Sequence, residues 1–332
     1  MDGSTGFKAL IARETSPGSF SQAVEERTLD SLPTDDLLVR VDWSSLNYKD
    51  ALSATGTKGV TSAYPHTPGI DAAGEVVESR SPAFAEGALV IISGFELGVS
   101  RPGGFGRYIR VPASWALPLP QGLGLREAMI YGTAGLTAAL ATMRILESGL
   151  PPDRGALVVT GASGGVGSFA AGLLSREGYR VAAVTGKPDA AETLRRLGVA
   201  EILPRETLAN PTGKLLLGGR WAGGIDTVGG APFAALLRSI KADGVVVACG
   251  NAAGSDFAGS LFPFILRGLT LHGIDAASKP VAGRAEAWRL LAGPWRICDL
   301  VQVEECGLEE LIPKFELILA GKVKGRIVVR HG

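Results

Sequence analysis

The chain has 332 residues, a length that at roughly 150 residues per domain predicts two domains, each able to bury a core. Lys and Arg together number 33, as do Asp and Glu, so a basic excess that would drive binding to nucleic acid or an anionic membrane is excluded. Three cysteines, Cys249, Cys298 and Cys306, are too few and too irregularly spaced for a disulfide framework or a four-thiolate zinc site, and a reduced, cytoplasmic setting is expected. The opening Met1-Asp2-Gly3-Ser4-Thr5-Gly6 carries an acid and leads into no apolar run, unlike a secretory leader.

Residues 7 to about 120 read as short strands separated by Pro and Gly: Phe7 to Ala12, Leu37 to Leu46 with alternating Leu37, Val39, Val41 and Trp43, Ala72 to Glu78, Ala88 to Ser93, and Tyr108 to Val111. Asn47 can cap a short helix that ends before Gly56. This first unit is of β-barrel type. A helical pattern from Arg126 to Glu147 follows, and then strands alternate with helices. The strands are Ala156 to Thr160, Arg180 to Thr185, Glu201 to Leu203, Gly224 to Val228, Gly244 to Cys249 and Leu269 to Ile274; helical patterns lie at Gly164 to Glu177, Pro188 to Leu197, Ala231 to Ile240 and Ser260 to Arg267. Apolar strands alternating with helices predict a doubly wound parallel sheet. Gly155 to Ser175 is uncharged over a membrane-span length, yet its six glycines divide it into strand, turn and helix. Helices near Ala282 to Leu291 and Leu308 to Leu319 and a last strand, Gly325 to Arg330, are expected to return to the first domain. The predicted division is 1–120 with 281–332, and 121–280.

The run Thr160-Gly161-Ala162-Ser163-Gly164-Gly165-Val166-Gly167 puts small residues at 162, 164 and 167, the spacing of a dinucleotide fingerprint after a strand and before a helix. A pyrophosphate needs that spacing because backbone N–H groups, not side chains, must meet its charge. The second strand ends Val184-Thr185-Gly186-Lys187-Pro188. No carboxylate stands there to accept a ribose 2′-hydroxyl, and a hydroxyl and a cation suit a 2′-phosphate, so NADPH is the expected cofactor, with Thr185, Lys187 and Arg205 around that phosphate.

Together with this turn, Trp43-Ser44-Ser45-Leu46-Asn47-Tyr48-Lys49-Asp50-Ala51-Leu52, Pro68-Gly69-Ile70-Asp71, Gly132-Thr133-Ala134-Gly135, Ile225-Asp226-Thr227-Val228-Gly229, Pro263-Phe264-Ile265-Leu266-Arg267 and Gly325-Arg326 make nearly the whole chain resemble the medium-chain dehydrogenase/reductase superfamily. It is most similar to the zinc-free quinone oxidoreductase branch that includes NADPH-dependent acrylyl-CoA reductases. The resemblance implies an α/β architecture, a GroES-like β-barrel domain plus a Rossmann domain, with Asn47 and Asp50 facing the nicotinamide and Thr133 approaching the cofactor phosphates. Gly250 and Phe264 would line the nicotinamide side, Arg326 would lie near the cofactor, and Ser163, Gly164, Gly165, Val166 and Gly167 would form the phosphate turn. Phe95 to Arg101 departs from the tryptophan-rich loop that borders the substrate in such reductases. Zinc is not expected: residues 1–120 hold no cysteine and one histidine, His66, where a catalytic site takes three protein ligands.

The expected chemistry is hydride transfer to the β-carbon of a short α,β-unsaturated acyl-CoA, acrylyl-CoA first, with Asn47, Tyr48 and Asp50 as the catalytic set and Tyr48 as a proton donor. Lys58, Arg101 and Arg107 are available for the CoA phosphates. The rivals are an NADPH:quinone oxidoreductase and a non-catalytic NADPH-binding protein. A homodimer is expected through residues 269–274, whose apolar side chains would otherwise lie on an open sheet edge; no nucleic-acid or membrane partner is expected.

Overall fold

A computed structural model describes residues 2–209 and 213–332. The chain opens with β1 (Gly6–Ser16) and β2 (Ser19–Thr28), followed by β3 (Leu37–Ser45), α1 (Tyr48–Ala54), β4 (Asp71–Ser79), β5 (Leu89–Ser93), β6 (Tyr108–Val111), β7 (Ala116–Pro118) and α2 (Leu125–Glu147). Strand and helix then alternate through β8 (Leu157–Thr160), α3 (Gly165–Arg176), β9 (Val181–Thr185), α4 (Ala191–Arg196), β10 (Glu201–Pro204), β11 (Trp221–Asp226), α5 (Gly230–Arg238), β12 (Ile240–Ala248), α6 (Phe262–Arg267) and β13 (Thr270–Gly273). The last elements are α7 (Ala282–Ala292), β14 (Val303–Cys306), α8 (Ile312–Leu319) and β15 (Arg326–Arg330). Two compact units result: Met1–Thr133 with Ala276–Gly293 and Val303–Gly332, and Ala134–Asp275 with Pro294–Gln302.

In the first unit, β14-β15-β3-β4-β5-β7 form one sheet, with β6 also paired to β3, and β1 and β2 make a separate hairpin. The alternation along β3 places Leu37, Val39 and Val41 in a core with Val76, Val90, Ile92 and Ile109. Leu38, of opposite parity, is buried too, because Phe7, Ala9 and Ile11 of the hairpin cover that side. The sequence did not predict β2. Its half-buried positions include Gln22 and Arg27 as well as Phe20 and Val24, so no apolar stripe marks it; its ladder to β1 and the Gln22 Nε2 bond to the Ala54 carbonyl (2.7 Å) hold it in place.

The second unit carries a six-stranded parallel sheet in the order β10-β9-β8-β11-β12-β13, the doubly wound order whose direction reverses between β8 and β11. Gly155 to Ser175 divides into β8, a turn and α3. The helix with the length and hydropathy of a membrane span is instead α2, whose apolar window is mostly buried within the protein.

The division differs from that read in the sequence at three places, one being the return to the first unit at Ala276 instead of 281. The first unit runs to Thr133 instead of 120, where α2 breaks at Gly132 (φ 49°, ψ −153°), a conformation that suits glycine. Residues 294–302 lie with the second unit because Trp295 Nε1 donates to Glu177 Oε1 (2.6 Å), Arg196 donates to the Leu300 carbonyl (3.3 Å), and Ile297, Cys298 and Val301 are buried.

His331 follows β15, buried, with Nε2 donating to the Gly104 carbonyl (2.8 Å). Burial pushes its pKa down to about 4. Between pH 6.5 and 4 the unfolded chain therefore binds a proton that the folded chain does not, and stability present above pH 6.5 is lost as pH falls through that window. The loss should reach about 3 kcal/mol at pH 4. Urea unfolding at pH 7 and pH 4.5 should show the wild type losing distinctly more stability on acidification than His331→Gln, which keeps an N–H donor; equal losses would contradict this.

Candidate active site

In the first unit, the ends of β3, β4 and β15 meet the start of α1 in a buried polar cluster. Asp71, the first residue of β4, is fully buried and accepts hydrogen bonds from Ser45 Oγ (2.6 Å), Asn47 Nδ2 (2.8 Å), Thr133 N (2.9 Å) and Thr133 Oγ1 (2.7 Å). Arg326 completes it, donating to Ser45 Oγ (2.8 Å), the Ile130 carbonyl (2.9 Å), the Leu46 carbonyl and Asn47 Oδ1 (both 3.3 Å). Burial lowers the Arg326 pKa, opposed by the charges of Asp71 and Asp50; a guanidinium nonetheless keeps its proton. A side chain at Gly132 would strike Asp71 Oδ2 (2.5 Å), Ser45 Oγ (2.7 Å) and Arg326 Nη2 (3.0 Å). The α2 break and the cluster thus require each other.

Asn47 is held between opposite charges, its Nδ2 toward Asp71 and its Oδ1 toward Arg326. That arrangement fixes the amide orientation. Both Nδ2 hydrogens have acceptors within the cluster, and Oδ1 accepts from Arg326 (3.3 Å) and, in the capping box of α1, from the N–H at the third helical position. Asp50 is corrected from the expected catalytic set to a structural role: Oδ2 accepts the Asn47 N–H (2.7 Å) and Oδ1 the Ile70 N–H (2.8 Å), and the carboxylate is fully buried. It closes a capping box on α1. Burial first, and then the charge of Asp71, push its pKa up to about 7 against the hydrogen bonds from the Asn47 and Ile70 N–H groups and the Asn47 amide (3.3 Å). Tyr48 is half-buried, and its hydroxyl has no hydrogen-bond partner among the described residues.

The second unit supplies the phosphate turn. Gly161 has φ 59°, Gly164 caps α3, and Gly164 N donates to the Gly161 carbonyl (2.9 Å). A Cβ at Gly167 would fall on the Gly161 carbonyl and within 2.8 Å of the Ala162 Cα, so glycine there brings helix and turn together. Gly165 and Val166 open the helix with their N–H groups unclaimed by the turn, as an anion site requires. At the end of β9, Ser163 Oγ and Thr185 Oγ1 lie 2.7 Å apart, and Lys187 N donates to Thr185 Oγ1 (3.1 Å). A Cβ at Gly186 would fall on the Arg205 guanidinium, so Arg205 lies directly across the strand end beside Thr185 and Lys187. A hydroxyl and two cationic residues are thus grouped at the end of β9.

Not every expected residue faces a site. Phe264 is half-buried and packs against the core cluster that includes Leu237, Ile240 and Leu269. Gly250 follows β12, where a Cβ would strike the Thr227 carbonyl. Arg101 is ion-paired with Asp35, and Arg107 with Asp42 (3.0 Å), which leaves only Lys58, exposed, of the three cations expected to serve a CoA group. In the segment flagged as unusual, Phe95 stacks on Trp115 (5.3 Å, 7° between planes). No group of three or more His, Cys, Asp or Glu suited to a metal occurs among the described residues. The sequence reading assigned no role to Asp71, Ser45, Thr160 or Asp226. The signal for Asp71 was an acid at the head of β4, directly before the buried Ala72 and Ala73.

Residues 33–121 match the alcohol dehydrogenase GroES-like domain, and residues 165–292 match the zinc-binding dehydrogenase family. The putative quinone oxidoreductase YhfP of Bacillus subtilis is 42% identical over 98% of this chain and 99% of its own. The chain belongs to the medium-chain dehydrogenase/reductase family, in its quinone oxidoreductase branch. Acrylyl-CoA reductase AcuI of Ruegeria pomeroyi is 39% identical over 97% of this chain and 98% of its own. The yhdH oxidoreductase of Salmonella enterica, solved in complex with NADP, superimposes with a TM-score of 0.94 at 40% identity, covering 98% of this chain and all of that one. Family membership makes the protein an NADP(H)-linked oxidoreductase with a GroES-like and a Rossmann domain.

Proposed function

We propose that this protein reduces the C=C bond of a short α,β-unsaturated acyl-CoA, acrylyl-CoA to propionyl-CoA in the first instance, with NADPH. The observation that carries the substrate class is the similarity to acrylyl-CoA reductase over essentially both full lengths. Gly164 and Gly167 with Ser163, Thr185, Lys187 and Arg205 would hold the pyrophosphate and the 2′-phosphate. When bound, NADPH would supply the hydride for the β-carbon. Asn47, its amide fixed by Asp71 and Arg326, would face the nicotinamide or the substrate from the start of α1. The Tyr48 hydroxyl stays available to hydrogen-bond the developing enolate oxygen or to pass a proton toward the α-carbon. Asp71 and Arg326 fix Asn47, and Thr133 is tied to the same carboxylate rather than left to reach a phosphate. Reduction of a quinone is the second reading, favoured by the similarity to YhfP.

Steady-state oxidation of NADPH with acrylyl-CoA and with 1,4-benzoquinone, corrected for the non-enzymatic rate, decides between them. A higher kcat/KM for acrylyl-CoA is expected; a quinone value tenfold higher moves the assignment to the second reading, and no turnover with either favours a non-catalytic NADPH-binding protein. Asn47→Ala should lower kcat about tenfold or more while changing the Kd of NADPH less, because positioning acts on the transition state.

The assembly we infer is a homodimer through residues 269–274. β13 is a sheet edge with Leu271 36% exposed, and beside it in sequence α6 leaves Ile265 and Leu266 70% and 62% exposed. Unpaired edges and apolar faces of this kind favour association. Light scattering at micromolar concentration should give twice the chain mass, and Leu271→Lys with Ile265→Glu should give the monomer; a monomeric wild type would contradict the inference. Three free cysteines suit a cytoplasmic setting.

A further inference from the structure

Asp226 is a buried carboxylate that takes no part in the chemistry above. It ends β11, immediately across the reversal point from β8, and is 1% exposed. Its Oδ1 accepts the Thr160 hydroxyl (2.6 Å) at the end of β8, and its Oδ2 accepts the N–H groups of Gly229 (2.8 Å) and Val228 (3.3 Å). Its own carbonyl accepts the N–H of Cys249 (2.9 Å), just after β12. The network closes on itself. Thr160 Oγ1 accepts from Thr227 N (2.9 Å), Thr227 Oγ1 donates to the Thr160 carbonyl (2.9 Å), and Ala253 N donates to the Val228 carbonyl (2.7 Å).

Two turns at the carboxyl ends of adjacent parallel strands, the phosphate turn entered at Gly161 and the turn 227–229, are thereby tied to one carboxylate, and the turn that begins at Cys249 is tied to the main-chain carbonyls of Asp226 and Val228. The ties are tight. A Cβ at Gly161 would lie 2.5 Å from Thr227 Oγ1, and one at Gly250 would strike the Thr227 carbonyl. In a doubly wound sheet the dinucleotide lies across the reversal point, adenine half over β8, β9 and β10, nicotinamide half over β11, β12 and β13. Thr185, Lys187 and Arg205, the groups proposed above for the adenine-side phosphate, lie at the ends of β9 and β10, and Thr185 joins the phosphate turn on that same side through Ser163 Oγ (2.7 Å).

We propose that Asp226 is a positioning residue that registers the pyrophosphate turn against the nicotinamide-side turns, so that it governs binding of the whole dinucleotide and leaves recognition of the adenosine bisphosphate half alone. The proposal rests on the NADPH reading above and deepens it. Asp226→Asn keeps the size of the side chain, but its amide nitrogen cannot accept the N–H groups or the hydroxyl that one carboxylate oxygen now accepts. Thr160→Val removes the hydroxyl that joins Asp226 to Thr227, and Thr160→Ser restores it.

Calorimetric titration of the full chain with NADP+ and with adenosine 2′,5′-bisphosphate separates the two halves. Asp226→Asn and Thr160→Val should each weaken NADP+ at least tenfold while the bisphosphate Kd stays within twofold, and Thr160→Ser should return NADP+ binding to near wild type. Equal weakening of both ligands, or no change in either, overturns the proposal, since general loosening of the unit would not respect the division. If Asp226→Asn does not fold, Thr160→Val and Thr227→Val decide by the same ratio. A wild type that binds neither ligand overturns this proposal together with the cofactor assignment. A wild type that binds both but reduces neither acrylyl-CoA nor a quinone removes only the catalytic reading, and the ratio still decides the role of Asp226.

Discussion

Asp71→Asn should lower kcat by about 100-fold, close to 2.7 kcal/mol of transition-state stabilisation, while the affinity for NADPH changes far less. The carboxylate accepts four hydrogen bonds from Ser45, Asn47 and Thr133, and its charge is what turns the Asn47 amide so that Oδ1 faces Arg326. An amide at 71 presents N–H groups to the Asn47 Nδ2 and Ser45 Oγ, two donors set against donors, so Asn47 must rotate or leave. Asp71→Ala should be worse for folding than for chemistry. It strands the Arg326 guanidinium, 3% exposed, among carbonyls and a hydroxyl, and breaking a buried charge pair from one side costs about 3–5 kcal/mol. Urea unfolding of the two variants beside the wild type measures the second effect, and single-turnover oxidation of NADPH the first. An Asp71→Asn protein with wild-type kcat would remove the cluster from the reaction.

How far the sequence carried this site is clear from the contrast between its two halves. The phosphate turn is local: glycines at fixed spacing between a strand and a helix need nothing from the rest of the chain, and Gly161, Gly164 and Gly167 stand where the pattern placed them. The parallel sheet was legible for the same reason, through short apolar strands alternating with helices. The polar cluster is not local. Ser45, Asp71, Thr133 and Arg326 come from segments up to 281 residues apart, and only strand register brings them together. Asp50 shows the limit of carrying a role over from a resemblance: expected to face the nicotinamide, it has one oxygen on the Asn47 N–H in the capping box and the other on the Ile70 N–H. The short helix α6 shows another limit: no pattern in six residues says which side of it meets the sheet core, against which Phe264 lies half-buried. The helix 126–147 was read as unbroken because a single glycine in an apolar helical run is ordinary; its φ of 49° follows from the carboxylate and guanidinium packed against it, which the run itself does not contain.

The cofactor half makes a second large effect testable without touching the polar cluster. Lys187→Ala with Arg205→Ala should reduce the preference for NADPH over NADH, as a ratio of kcat/KM, by at least 100-fold. Charge-assisted hydrogen bonds to a phosphate contribute about 1.5–3 kcal/mol each, and two of them lost together correspond to a factor of 100 or more. NADH has no 2′-phosphate, so its own kcat/KM should stay within about twofold. Gly186→Ala gives the same result by a different route. The glycine leaves the space that the Arg205 guanidinium occupies, and a methyl group there pushes the guanidinium off the strand end without removing a charge. Since the displaced group is the far end of a flexible side chain, folding should be little affected, and the preference should drop by about tenfold, the contribution of one such contact. If Gly186→Ala left the preference unchanged while Arg205→Ala abolished it, Arg205 would meet the phosphate from another direction. If both variants weakened NADH and NADPH alike, Arg205 would shape the turn after β9 and Lys187 alone would read the phosphate.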